Sequence, residues 1–345
     1  MTKSISIPQA EGVPAPAIMQ QEVAIPVSSQ GNLSSQDEAL VRTGEALRRA
    51  GYSFTTVTPL SHRRVLARPA NPSNLLRDIF GWSRPFSACD LPDSLLSTLE
   101  AAGALAISGD KLRTNVRFST LGDQLFVHSA FPTEGADAVF FGPDTYRFAR
   151  AIRQEVPNLA ARSGMRLLDL GAGSGAGGLH AASLLQGTKP HLTLTDINRS
   201  VLRFSHINAV LNGVPGVQIV DSDLYCNVPG PFDLIVSNPP YLVDPLARLY
   251  RHGGGQFGSD LSVRIVEEGL ALLAPKGRLL LYTGSAIVDG VDLFENALRE
   301  RLKNRRDLRL TYDEIDPDVF GEELEAPPYD CVDRIAVVAV GVEIL

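Results

Sequence analysis

The amino-acid sequence predicts an α/β protein in which a doubly wound, mostly parallel sheet follows a small N-terminal domain. Three observations carry that reading. From Met165 onward apolar runs alternate with helical patterns: 165–170, 191–196, 217–220, 232–237 and 278–283 read as strands, and 176–186, 199–211 and 261–273 as helices. Strands separated by helices of this length are what the βαβ crossovers of a parallel sheet require. The last two apolar runs, 308–314 and 332–342, have only a loop between them and so can pair as an antiparallel edge. Finally, the first strand runs straight into Gly171-Ala172-Gly173-Ser174-Gly175, where glycine lets the chain turn sharply and approach a ligand closely.

Ahead of the sheet the chain changes texture twice. Residues 1–34 carry Pro8, Pro14, Pro16 and Pro26 among Gln, Ser and small residues, which stops any long helix and leaves little to bury. A flexible N-terminal arm is expected there. Residues 35–138 form a small accessory domain in this reading. Leu40, Val41, Gly44 and Leu47 recur at helical spacing over 35–49, with Ser34 and Ser35 ahead as caps. Helices over 74–81 and 91–104, then β runs at 113–119 and 124–129 joined through Leu121-Gly122-Asp123-Gln124, resemble a winged-helix-like module. Residues 139–345 make the sheet domain, entered through Val139-Phe140-Phe141-Gly142-Pro143-Asp144 and a helix over 145–156.

Composition narrows the function. With 345 residues, 44% apolar and 21% charged, the chain has the make-up of a globular enzyme and not of a disordered or fibrous protein. It carries 32 Lys and Arg against 39 Asp and Glu, a net charge of -7, which disfavours nucleic acid as a partner because that role calls for a broad basic surface. Cys89, Cys226 and Cys331 are odd in number and far apart. They spell out neither a disulfide framework nor a metal site, and a reducing, cytoplasmic setting is expected. No apolar stretch is long enough to span a membrane and no apolar signal core follows Met1, so neither spanning nor secretion is expected.

The strand ends carry the chemistry. Taken alone, the glycine pattern fits a dinucleotide site or simply a tight strand-to-helix turn. The next strand closes on Asp196, followed by Ile197, and a carboxylate there can accept two hydrogen bonds from a ribose diol, each about 1.5–3 kcal/mol. A third strand leads to Asp223-Leu224, placed to accept from an adenine amino group. Asp169, just before the glycine turn, repels a pyrophosphate but suits a cation. The ligand is therefore expected to be a positively charged nucleoside. The fourth strand ends in Asn238-Pro239-Pro240-Tyr241, at the sheet edge where substrates of open α/β folds sit. The Asn238 amide oxygen and the Pro239 carbonyl offer two acceptors for both hydrogens of an NH2 group, leaving its lone pair pointing onward, and Tyr241 supplies a flat face.

These four segments resemble the motifs of class I S-adenosylmethionine (SAM)-dependent methyltransferases, whose fold is a Rossmann-like, doubly wound seven-stranded sheet. Asn238-Pro239-Pro240-Tyr241 is similar to the signature of amino- and amide-nitrogen methyltransferases, especially the release-factor glutamine methyltransferases. Gly142-Pro143-Asp144-Thr145 resembles that family's Arg-Pro-Asp-Thr-Glu element, with Gly142 for the arginine and Tyr146 for the glutamate. Gly254-Gly255-Gln256-Phe257-Gly258-Ser259-Asp260-Leu261 resembles its Asp-Gly-Gly-x-Asp-Gly-Leu run. The N-terminal module and the closing β segment look more like the small-domain methyltransferases. The resemblance implies SAM as cofactor, with Asp169, Gly171, Gly173 and Gly175 at the methionine moiety, Asp196 at the ribose, Asp223 and Leu224 at the adenine, and Ile197 as a further cofactor-binding residue. It further implies Asn238, Pro239 and Tyr241 as catalytic residues, Asn238 also reaching the cofactor, and π faces from Phe141 or Tyr146 beside the cationic centre.

The reaction expected is methyl transfer to an amine or amide nitrogen of a small molecule or a protein. A second reading keeps the cofactor and makes its own α-amino group the nucleophile, closing a four-membered ring and expelling methylthioadenosine, as in azetidine-2-carboxylate synthases, to which the overall build is similar. A third makes the N-terminal module an RNA- or ribosome-binding element, which the acidic balance disfavours. His252 is the best-placed base on sequence, residues 253–255 read as a mobile lid, His128, His180 and His206 read as structural, and Cys226 reads as a small buried residue. The acceptor and the oligomeric state are not legible in the sequence.

Overall fold

The computed structural model describes residues 33–69, 72–133, 135, 137–244 and 251–345. Apart from its last two residues, the expected N-terminal arm lies outside them.

Helix α1 (Ser35–Arg49) starts on a capping box in which Ser34 and Asp37 satisfy each other's backbone N–H. Three short helices follow: α2 (Pro59–Leu66), α3 (Leu75–Phe80) and α4 (Asp93–Ala101). The α2 start, Thr58 as cap and Pro59 in the first turn, is a legible signal that the sequence reading passed over. The single β run expected over 113–119 is in fact two strands of two hairpins. Strands β1 (Leu105–Ser108) and β2 (Lys111–Thr114) form one, and β3 (Val116–Leu121) and β4 (Gln124–Ser129) the other. Asn115 divides them because its backbone leaves the ladder to bond Ala104 and Ala130. Phe86 adds an isolated bridge to Leu112 beside the first hairpin.

Helix α5 (Pro143–Glu155) leads into β5 (Arg166–Leu170), α6 (Ala176–Leu184), β6 (His191–Asp196), α7 (Arg199–Leu211), β7 (Gln218–Asp221), β8 (Phe232–Ser237) and α8 (Asp260–Gly269). The chain ends with β9 (Leu273–Val288), β10 (Val291–Asp292), α9 (Leu293–Leu302), β11 (Leu308–Asp316) and β12 (Arg334–Ile344). The sheet order is β11-β12-β9-β8-β5-β6-β7, with β10 attached to β9. The pairs from β7 to β9 are parallel, and β12 pairs antiparallel with both β9 and β11. The seven-strand doubly wound arrangement with an antiparallel edge is therefore present. Strand β9 is far longer than the expected 278–283, since β12 pairs with it from Arg278 to Ile287, and α9 is an element the sequence reading lacked.

Alternation along the central strands feeds two cores. Leu234, Val236, Leu280 and Tyr282 join one with α5 and α6, while Ile235, Leu279 and Leu281 join another with α8 and α9. A third core gathers α1, α3, α4, β3 and β4, yet includes Ile207 and Leu211 of α7. The joint is polar as well. Asn208, fully buried, accepts from the Val127 N–H (2.8 Å) and donates to the Val127 carbonyl (3.0 Å) and to Ser174 in the glycine turn (2.9 Å). One helical turn on, Asn212 treats Leu125 the same way. Two side-chain amides thus stand in for a neighbouring strand along β4, occupying donors and acceptors that an edge strand would otherwise expose.

Candidate active site

The connection order reverses between β5 and β8, the position where ligands of open α/β sheets bind. There the strand ends enclose a cavity of about 370 Å³, toward the low end of the ~300–1,000 Å³ typical of small-molecule pockets. Asp169, Gly171, Gly173, Asp196, Ile197, Asp223, Leu224, Asn238, Pro239 and Tyr241 all line it.

At the glycine-turn end the chain's own amides organise the acids. Gly171 and Gly173 have φ of +69° and +57°, and a Cβ on either would meet nothing within 4 Å, so glycine serves here for its backbone freedom. Asp196 accepts from the Gly173 N–H (3.1 Å) and the Asn198 N–H (2.9 Å). A carboxylate has about four lone-pair sites, which leaves capacity for a diol. Burial pushes the Asp196 carboxyl up, against the pull of those amides. Asp169 is buried and accepts from the Gly178 N–H at 2.7 Å. Desolvation, opposed by that bond and reinforced by Asp196, raises it to about 7. Gly178 lies in the first turn of α6, so the amide that would otherwise face a phosphate is taken by a carboxylate. The donor set rejects a pyrophosphate and fits a cationic nucleoside. Two large apolar side chains that are unusually exposed, Ile197 (52%) and Phe140 (42%), border the same cavity, as a flat heteroaromatic ring requires.

Three expected cofactor residues are placed elsewhere. Phe141 is buried against Phe126 and His128. Its neighbours Val139 and Phe140 line the cavity instead. Tyr146 turns toward the N-terminal module, packing edge-on against Phe141 while its hydroxyl accepts from the Thr56 N–H (3.0 Å). At Gly175, φ +78°, a Cβ would sit 3.2 Å from Leu179 and Leu194, so this glycine faces the core.

The Asn238 end is assembled from distant segments. The Asn238 side chain makes no hydrogen bond to any described residue, whereas Asn198, the other asparagine on the wall, is engaged by Ser200 and Asp137. Tyr241 is buried and donates to Asp144 Oδ2 (2.9 Å); Tyr282 of β9 donates to Oδ1 (3.0 Å), and Arg147 pairs with the same oxygen and with Asp316. Burial raises the Asp144 carboxyl and both phenols. Gly284 lies under the Tyr241 ring, where a Cβ would come within 2.3 Å. This Asp144-centred lock was missed because its members are 97 and 138 residues apart in sequence; Pro-Asp at the start of α5 was its one local sign.

His252 lines the cavity, but its Nδ1 accepts from the Asp244 N–H (3.2 Å). An accepting Nδ1 puts the ring N–H on Nε2. The glycine run after it is not a lid. Gly253 bonds Leu242 and Leu261, and a Cβ on it would fall 2.0 Å from the Gly258 carbonyl. Cys226 is exposed, contrary to expectation, whereas His128 is buried and bonded to Ser119. The loop between β11 and β12 also reaches the site: Phe320 lines the cavity with its ring 6.0 Å from that of Tyr241.

Residues 151–299 match the methyltransferase small domain family. Release factor glutamine methyltransferase of Deinococcus radiodurans is 36% identical over 129 residues, 34% of this chain and 44% of that protein. Ribosomal RNA small subunit methyltransferase C of Serratia proteamaculans is 37% identical over 116 residues, 33% of this chain and 29% of that one. The tRNA1(Val) (adenine(37)-N6)-methyltransferase of Aeromonas hydrophila is 33% identical over 135 residues, 36% and 54% of the two chains. The chain thus spans 29–54% of the length of these relatives. Two of them are named for RNA, so net charge alone does not set nucleic acid aside. No helix among the described residues is long and apolar enough to cross a membrane.

Proposed function

We propose that the chain, whose residues 151–299 match the methyltransferase small domain family, uses SAM as cofactor and is an N-methyltransferase acting on an amine or amide nitrogen held at Asn238-Pro239-Pro240-Tyr241. The observation that carries this reading is the Asn238 amide on the cavity wall, which no described residue hydrogen-bonds, just after the end of β8 and beside the glycine turn that follows the neighbouring β5. When bound, SAM supplies a methyl group on an electrophilic sulfonium. Asp169 and the glycine turn would hold its amino-acid part, Asp196 its ribose, Asp223 and Leu224 its adenine. Asn238 and the Pro239 carbonyl accept the two N–H hydrogens of the acceptor and so fix the direction of its lone pair, an effect of orientation and not of acid-base strength. Tyr241 keeps its ring in place because its hydroxyl is committed to Asp144.

Under this reading the acceptor nitrogen belongs to a protein, an RNA or a small molecule; the relatives are named for the first two but match this chain over only 29–54% of their own length. A second reading makes the amine held by Asn238 the cofactor's own, so that ring closure releases methylthioadenosine. Product analysis separates them. Purified protein with SAM alone should show no turnover until an acceptor is added, and then release S-adenosylhomocysteine. Methylthioadenosine without any acceptor would replace the transferase reading with the cyclase.

A further inference from the structure

We propose that Phe320 determines acceptor specificity, walling the Asn238 end of the cavity so that it admits a small amine or amide and turns away a group carried on a folded macromolecule. The inference rests on the SAM-dependent reading above and adds the substrate class. Phe320 lies in the segment between β11 and β12, outside residues 151–299 that the family covers, so the relatives' acceptors say nothing about this wall. Its ring stands edge-on to Tyr241, and both line the cavity. Its backbone has φ +55°, a left-handed conformation that a bulky residue adopts only when its surroundings impose it.

The surroundings are specific. Glu323, three residues on, pairs with Arg251, which also lines the cavity. The Tyr329 hydroxyl accepts from the Val243 N–H (3.0 Å) and donates to the Phe257 carbonyl (3.1 Å). Val319 bonds Ile335 at the start of β12. The segment is therefore fastened to β12 on the N-terminal side of the ring and to the chain that follows Tyr241 on its C-terminal side. Phe320 and Asn238 line the same cavity, and the Phe320 ring stands beside Tyr241 on the wall that the proposed acceptor would face.

The test uses the full chain with SAM and analogues carrying ethyl, allyl or benzyl in place of the methyl group, whose affinities are read by calorimetry. Wild type should lose at least about tenfold in affinity from methyl to benzyl, the size of effect that overfilling a packed site produces. Phe320→Ala should remove most of that loss while leaving SAM affinity within about threefold, and Phe320→Leu should fall between; a merely structural role would lower thermal stability in both without altering the discrimination. Equal binding of all four ligands by wild type, or unchanged discrimination in Phe320→Ala, overturns the wall. Methyl label from SAM appearing in added total ribosomal RNA or ribosomal protein overturns it too, and label in added amino-acid amides supports it. Failure of SAM itself to bind overturns the methyltransferase reading as well, a result distinct from tight binding without size discrimination.

Discussion

At the glycine-turn end of the crevice the acids come from strand ends, Asp169 one residue before the end of β5 and Asp196 at the end of β6, and backbone amides of the turns and of α6 hold them. The Asn238 end draws instead on α5, β9 and the segment after β11, joined through Asp144, Tyr241, Tyr282 and Phe320. The first end is a local device repeated along a sheet edge. The second exists only once the chain has folded. If this contrast is functional, the first should govern affinity and the second turnover, and substitutions can break the division.

The largest effect is expected from Asp196→Ala. Losing two bonds to a ribose diol, each about 1.5–3 kcal/mol, should weaken SAM binding by at least about a hundredfold in calorimetry. Asn238→Ala should leave that affinity nearly intact and lower the rate of the chemical step by about a hundredfold or more, as misplacing a nucleophile does. Equal losses of affinity in the two variants would erase the division between the ends. Tyr241→Phe and Asp144→Asn should each slow turnover by about tenfold, with the double variant little worse than either, since both open one lock; full additivity would show that the lock is not a unit.

The smallest effect concerns pH. Asp169 is raised to about 7, so it is largely ionised only above that value. If it faces the cofactor's ammonium, affinity should fall as pH drops below 7, by at most about tenfold per unit, and hold level above it. Asp169→Asn should flatten the profile between pH 6 and 8. A wild-type profile already flat there would place the ammonium elsewhere.

The same contrast decides what the sequence revealed. Asp169, Asp196, Asp223 and Asn238 were legible because an apolar run, a turn and an acid or amide fall within a few consecutive residues. Phe140 and not Phe141 lines the cavity because Phe141 packs against Phe126 and His128 of the hairpin, a contact between segments that adjacent sequence does not show. Phe320 carried no signal at all: its role comes from β12 returning along β9 and bringing the preceding segment over the corner. The sheet itself was readable from periodicity, and α2 had a legible start in Thr58 and Pro59, whereas α9 was short and carried no such proline-marked start.

The paired asparagines of α7 have a consequence for any attempt to dissect the protein. A chain beginning at α5 would lack β4, stranding the amide of Asn208 in a site shaped for a strand and loosening its grip on Ser174. What looks like an appendage is thus a buttress for the loop beneath the nucleoside, and its removal should be felt as lost ligand affinity before any loss of target recognition.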